Sequence, residues 1–433
     1  MSSTPRRSSL ASEPLTTAAR ARAIVAGSLG NLVEWYDFYV YAFTALYFSA
    51  AFFPAGDRTA QLLVTSGIYA VGFLMRPLGG WYFGRYADRH GRRAAMVASI
   101  ALMGAGALLI AILPTFASIG RWAPVLLLVG RMVQGFSTGG QYGTAATYLS
   151  EIATAGRRGF LASFQYVTLI GGQLLALLVI LVLQEMLSGD AMRAYGWRIA
   201  FLIGAVAAFA VLLGRGAIHE TAGERHPDAG RMRALTPHWR GLVTVVGLTA
   251  GGSLSFYVFS TYMQKYLVNT AGMEARVANW VMTGVLIPFM LLQPLLGALS
   301  DRIGRRRNLI LFGLLATLAT VPLLKLLGQV TSPIAAFGLV LAGLVINSFY
   351  TSVSGLFKAE LFPVHVRALG VGLAYGVGNA LFGGSAEAVA LALKVRGHEG
   401  AFGWYATALC AVSLLTALLM RDAAGDPLAD AKA

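Results

Sequence analysis

The sequence predicts an all-α membrane protein of about twelve transmembrane helices, in two six-helix bundles related by pseudo-two-fold symmetry, with both termini cytoplasmic. Three observations carry that prediction. Of 433 residues, 57% are hydrophobic and only 12% charged, whereas soluble domains carry about a quarter charged residues. The apolar residues gather into runs of about 20, the length that crosses a bilayer as a helix. A dense charged motif also occurs twice, as Gly84-Arg85-Tyr86-Ala87-Asp88-Arg89-His90-Gly91-Arg92-Arg93 and as Gly297-Ala298-Leu299-Ser300-Asp301-Arg302-Ile303-Gly304-Arg305-Arg306, 213 positions apart. Glu151 followed by Arg158, and Glu360 followed by Arg367, repeat at an offset of 209. Two unrelated motifs recurring at nearly one interval indicate internal duplication.

In chain order, a polar, basic arm (1–22) precedes apolar runs at about 24–50, 61–83, 94–114, 123–149, 160–184 and 196–216. A central loop (217–240) follows, with Arg225, Pro227, Asp228, Arg231, Arg233 and Pro237. The runs resume at about 241–267, 277–299, 308–327, 333–357, 368–393 and 402–420, before a tail at 422–433. The bundles are therefore placed at 23–216 and 241–421. Basic residues set the orientation. The arm, Arg85 to Arg93, Arg157 and Arg158, the central loop, Arg302 to Arg307, Lys358 to Arg367 and Arg421 fall on one side, which is assigned to the cytoplasm. The loops Ala51 to Ala60 and Gly328 to Ser332, nearly free of Lys and Arg, fall on the other.

Other classes find little support. The net charge of +15 sits in short gaps between apolar runs, not in stripes with interleaved aromatics, so nucleic acid is not an expected partner. The arm has no apolar core of its own, so no cleavable signal peptide is expected. The single cysteine, Cys410, forms no intramolecular disulfide. There is no Gly-x-x-x-x-Gly-Lys-Ser/Thr phosphate loop, no His/Cys metal cluster and no strand–turn–helix nucleophile elbow. Neither an ATP-driven pump nor an enzyme is expected, and no cofactor or metal.

Charges within the apolar runs each need a reason, because an ionisable group at the bilayer centre costs about 2.5–3.5 kcal/mol or more. Glu34 lies about ten residues into the first run, roughly 15 Å deep, and Asp37 shares its helix face. They are candidate proton sites; the alternative is a fixed ion pair with a neighbouring arginine. Arg76, in the second run, offers a permanently charged fork to a carboxylate and is the first candidate for substrate contact. Pairing with Glu34 or Asp37 is its alternative, and the two can be phases of one cycle. Arg131, in the fourth run, divides evenly between a structural ion pair and a substrate role. Tyr257, Gln165 and Asn379 are candidate cavity-lining groups, because polar side chains facing lipid are costly. Lys265 is a further candidate contact or a lysine reaching up to the outer interface. Gly104, Gly106, Gly376 and Gly378 are read as helix-packing residues.

Two six-helix halves, each with Asp-Arg-x-Gly-Arg-Arg after its second helix, resemble the major facilitator superfamily. Within it, the stretches Gly30 to Tyr39, Gly72 to Gly80 and Arg131 to Gly135 resemble the metabolite:proton symporters. Ser163 to Gln173 and Thr261 to Met273 are similar to the branch of that family that carries 2-oxoglutarate. The resemblance covers all but the termini and the central loop. It implies proton-coupled uptake of a small organic acid, most closely 2-oxoglutarate, by a monomer in the bacterial inner membrane. Citrate, shikimate or a zwitterionic osmolyte are alternative substrates, and a transport-incompetent sensor is the alternative class.

One position departs from the family pattern. After Gly139-Gly140 the family usually has Glu, where this chain has Gln141. Either protons couple elsewhere, or Gln141 mimics a permanently protonated acid. The repeated loops are read as a cytoplasmic gate. Asp88 and Asp301 would bind Arg or helix-end groups across the bundle interface, with Arg89, Arg92, Arg302 and Arg305. Glu151, Arg158, Glu360 and Arg367 supply the remaining charges.

Overall fold

The computed structural model describes residues 17–55, 58–153, 156–213 and 230–420. The arm up to residue 16, most of the central loop and the tail lie outside the described residues. Among those described, the regular structure is entirely helical. In order the helical segments are α1 (Thr17–Phe52), α2 (Thr59–His90), α3 (Arg92–Ile112), α4 (Trp122–Ile152), α5 (Arg158–Met186), α6 (Gly189–Leu213), α7 (Met232–Asn269), α8 (Ala275–Ile303), α9 (Arg305–Leu327), α10 (Pro333–Glu360), α11 (Val364–Val395) and α12 (Ala401–Leu419). Ten of them, all but α1 and α4, are long and apolar enough to cross a membrane. α1 and α4 have 36 and 31 residues and carry Glu34, Asp37 and Arg131 within them.

The helices run a few residues past the apolar runs at the end that bears the repeated motif. α2 continues through Asp88, and α8 through Asp301. Arg and Lys are good helix formers, and continuing the helix satisfies backbone groups that would otherwise need water. Both segments stop at a glycine with φ of 105° (Gly91) and 92° (Gly304). A Cβ is strained at such angles, which is why the motif has Gly there. The outward faces carry Leu291, Leu295, Ile334, Phe209 and Trp404, all exposed, an apolar surface of the kind that faces lipid.

Four helices carry irregularities. In α2, the helix breaks at Met75 just before Arg76-Pro77, since Pro77 has no N–H to return to the Phe73 carbonyl. In α7 and α11, π-helical turns cover Val258–Tyr262 and Asn379–Gly383, a local widening common at functional sites. α10 also breaks, between Thr351 and Ser354.

Close helix crossings set the geometry. A Cβ on Gly135 would collide with the Gly72 carbonyl, and one on Gly139 with that of Arg76, so α2 and α4 touch backbone to backbone. A Cβ on Gly376 would stand 3.0 Å from Pro77 N and 3.1 Å from the Arg76 carbonyl carbon. α2 thus packs on α11, and α5 packs on α8, joining the earlier and later parts of the chain.

Candidate functional site

The α4 and α11 glycines hold the backbone of Arg76 between them, and its side chain is fully buried. The guanidinium lies over Phe73 at 3.8 Å and Phe38 at 4.3 Å, with Trp35 at 5.3 Å. Its Nη1 donates to the Tyr257 hydroxyl at 3.3 Å. Arg131 is built alike: Nη1 donates to Gln134 Oε1 at 2.6 Å, and the group lies over Tyr41 at 4.3 Å and Phe38 at 4.8 Å. Phe38 therefore sits against both cations. In each arginine Nε and Nη2 have no hydrogen-bond partner. Those two atoms form the edge that takes a carboxylate in two parallel hydrogen bonds.

Glu34 and Asp37 are also fully buried, and none of their four carboxyl oxygens has a hydrogen-bond partner. Arg76 is the cation that acts on Glu34, and Arg131 the one that acts on Asp37. Neither acid reaches its arginine within 4.0 Å, so the expected ion pairs are not closed. A Cβ on Gly204 would collide with Asp37 Oδ1, so α6 backs this acid closely. Buried polar groups without partners are uncommon. Here they cluster: Tyr39 and Tyr69 hydroxyls and both side-chain polar atoms of Asn379 are unpartnered as well.

The other expected contacts lie elsewhere in the bundle. Gln165 Nε2 donates to the Tyr142 carbonyl at 3.4 Å, and its Oε1 faces Gly355, so it links α5, α4 and α10. Lys265 does not reach the outer interface. It is buried and bonds both oxygens of Glu387 at 2.8 Å, because a buried ammonium is best satisfied by a carboxylate. Gln141 is buried; its Oε1 accepts from the Ser99 hydroxyl at 2.7 Å, and Nε2 is unpartnered. It meets neither arginine.

The expected gate residues gather at the ends of α2, α4, α8 and α10. Asp88 Oδ1 pairs with Arg92 at 2.6 Å, and Oδ2 accepts from the Leu369 N–H at 3.1 Å. Asp301 pairs with Arg305 at 2.9 Å and accepts from the Gly159 and Phe160 N–H groups at 2.8 and 3.1 Å. Each carboxylate thus caps the first turn of a helix from the other part of the chain, where free N–H groups and the helix dipole favour an anion. Glu151 bridges Arg92 at 3.5 Å and Arg367 at 3.3 Å, and Glu360 meets Arg305 at 3.8 Å. The Glu151–Arg367 pair therefore joins the acid of one repeat to the arginine of the other. Arg158 faces Glu360, and Arg89 is half-buried beside the cluster. Arg302 is exposed and forms no ion pair among the described residues; its helix turn points it away from the interface.

Lys358 corrects the reading of a basic loop from Lys358 to Arg367. It lies in α10, fully buried, beside Tyr375 of α11, which is also buried and whose ring stacks on Tyr142 with centroids 3.5 Å apart. Tyr39, whose buried hydroxyl has no hydrogen-bond partner, was not singled out from the sequence. The spacing Glu34, Phe38, Tyr39 along one helical turn was the available signal for Tyr39.

A family profile described as Major Facilitator Superfamily matches residues 27–386 and 245–429. The alpha-ketoglutarate permease of Escherichia coli (strain K12) is 58% identical over 407 residues, 93% of this chain and 94% of that protein. A citrate-proton symporter of Salmonella typhi is 35% identical over 422 residues, 95% and 96% of the two chains. Among solved structures, the proton:xylose symporter XylE bound to 6-bromo-6-deoxy-D-glucose aligns with a TM-score of 0.75 at 18% identity, covering 93% of this chain and 95% of that one.

Proposed function

This chain belongs to the major facilitator superfamily, and from that premise we propose that it is a proton-coupled importer of a dicarboxylate, 2-oxoglutarate, working by alternating access. The observation that carries the reading is the pair of buried arginines with open Nε/Nη2 edges, set beside two carboxyl groups that no hydrogen bond holds. The 58% identity to a permease named for alpha-ketoglutarate selects the acid. The bilayer placement follows: twelve spanning helices in bundles 23–216 and 241–421, acting as a monomer, with the basic end and both termini in the cytoplasm.

Bringing a dianion into a cell held at about −100 mV costs about 4.6 kcal/mol. Two protons moving with it cancel that cost, and a third lets the potential drive uptake. In our scheme Arg76 takes a substrate carboxylate on its open edge, with Tyr257 and Asn379 beside it, while Arg131 holds the neighbouring charge. Protonation of Glu34 or Asp37 removes the competing anion from the arginines, so proton and substrate are coupled through shared cations. Gln141 has no titratable group, which assigns the proton to Glu34 and Asp37. The Asp88 and Asp301 clusters form the cytoplasmic gate; breaking their helix caps lets the bundles part on that side.

The test is uptake of labelled 2-oxoglutarate into proteoliposomes with an imposed pH gradient, comparing the chain with its Gln141→Glu variant and with citrate as competitor. Gradient-driven, saturable uptake by the unaltered chain is expected. Uptake that appears only with Gln141→Glu would instead make position 141 the coupling acid and this chain a locked form.

A further inference from the structure

Two lysines are buried in the membrane-spanning region, and their surroundings differ. Lys265 is neutralised by Glu387. Lys358 has no carboxylate within ion-pair distance among the described residues. Its Nζ donates to the Tyr142 hydroxyl at 2.8 Å and to Ser354 Oγ at 2.6 Å. Aromatic faces surround it: Tyr375 at 4.2 Å, Tyr142 at 4.8 Å, Phe357 at 5.4 Å and Tyr350 at 5.5 Å. Aromatic rings stabilise a desolvated cation by about 2 kcal/mol or more, against a cost of several kcal/mol for burying an unpaired charge. A cation left in that condition is suited to an anion that comes and goes.

The position fits such an anion. Tyr375, nearest to Lys358, precedes Gly376, which rests on the Arg76 backbone. One stretch of α11 thus touches both cations, Tyr375 lying under Lys358 of α10 and Gly376 against the backbone of Arg76 in α2. We propose that Lys358 is the second carboxylate-binding cation, so that the substrate spans from Arg76 to Lys358 along Tyr375. This deepens the dicarboxylate reading and rests on it. One N–H of the ammonium remains after its bonds to Tyr142 and Ser354, enough for a carboxylate oxygen.

The test is equilibrium binding to the reconstituted full-length protein, with 2-oxoglutarate as the diacid and 2-oxopentanoate as the acid lacking its second carboxylate. The unaltered chain is expected to bind the diacid at least about tenfold tighter, as a desolvated charge contact allows. Lys358→Met should cut that preference below about threefold while leaving 2-oxopentanoate affinity unchanged. Lys358→Arg should keep most of it. Lys358→Gln gives the same readout should the methionine variant not fold. An unaltered diacid preference in the methionine or glutamine variant overturns the proposal, as does an equal loss for both ligands, which would mark Lys358 as structural. An unaltered chain that fails to prefer the diacid overturns the dicarboxylate reading, and the assignment of Lys358 with it.

Discussion

The charges at the motif-bearing end and those in the middle of the bundle are both buried, yet they are treated differently. Asp88, Asp301, Glu151 and Glu360 each meet a guanidinium, and the two aspartates also accept backbone N–H groups from the opposite part of the chain. Some twelve residues away along α2, Arg76 leaves Nε and Nη2 unbonded, and no hydrogen bond within 3.5 Å holds the carboxyl oxygens of Glu34 or Asp37. A satisfied buried network holds one arrangement in place. An unsatisfied one keeps a free-energy debt that a ligand or proton discharges. In the proposed scheme the contrast separates what would close the molecule from what it would receive.

The sharpest way to break that contrast is Arg76→Lys, which keeps the charge and removes the fork. We expect 2-oxoglutarate affinity to fall about 30-fold or more, roughly 2–3 kcal/mol, measured by equilibrium binding; a change under threefold would show that the open edge is not used. Next is Glu34→Gln. Net uptake driven by a pH gradient should fall about tenfold, while exchange of internal for external substrate continues, since exchange moves no net proton. Equal loss of both would make Glu34 a structural group. Smaller still are the gate aspartates. Asp88→Asn should lower the apparent unfolding free energy by about 1–2 kcal/mol and Asp301→Asn by less. The reason is that the Asp88 carboxylate is fully buried and that of Asp301 10% exposed. Thermal unfolding in detergent ranks the two, and a reversed order would contradict the burial argument. At the other end of the scale, Arg276→Ala removes a pair with Glu185 in which both partners are about half exposed; stability and uptake should stay within about 0.5 kcal/mol of the unaltered chain.

Hydropathy made the helices legible to within a few residues, because a bilayer imposes length and apolarity on every spanning segment. The repeated Asp-Arg-x-Gly-Arg-Arg showed where the chain turns, and Gly91 and Gly304 explain its glycine. The central charges were legible too, since Glu34, Asp37, Arg76 and Arg131 interrupt apolar runs. Partners were not. That Asp88 caps α11 and that Glu151 bonds Arg367 depends on two segments over 200 residues apart coming together. Lys358 was misplaced for a related reason. A lysine two residues before a glutamate at the end of an apolar run looks like a loop residue, and only the aromatic shell drawn from α4, α10 and α11 shows otherwise.

The backbone contact of α2 with α4 has a mechanical consequence. Where Gly72 meets Gly135 and Arg76 meets Gly139, no side chain is left to slide or repack, so the two helices travel as one stiff plate. Arg76 and Arg131 ride on that plate, so in the proposed cycle their separation would stay constant. The bond from Arg76 to Tyr257 spans to another part of the chain, as does the gap to Lys358. In the proposed cycle these are the lengths that would change when the molecule rocks, and a two-headed substrate of limited reach would act as a gauge across them.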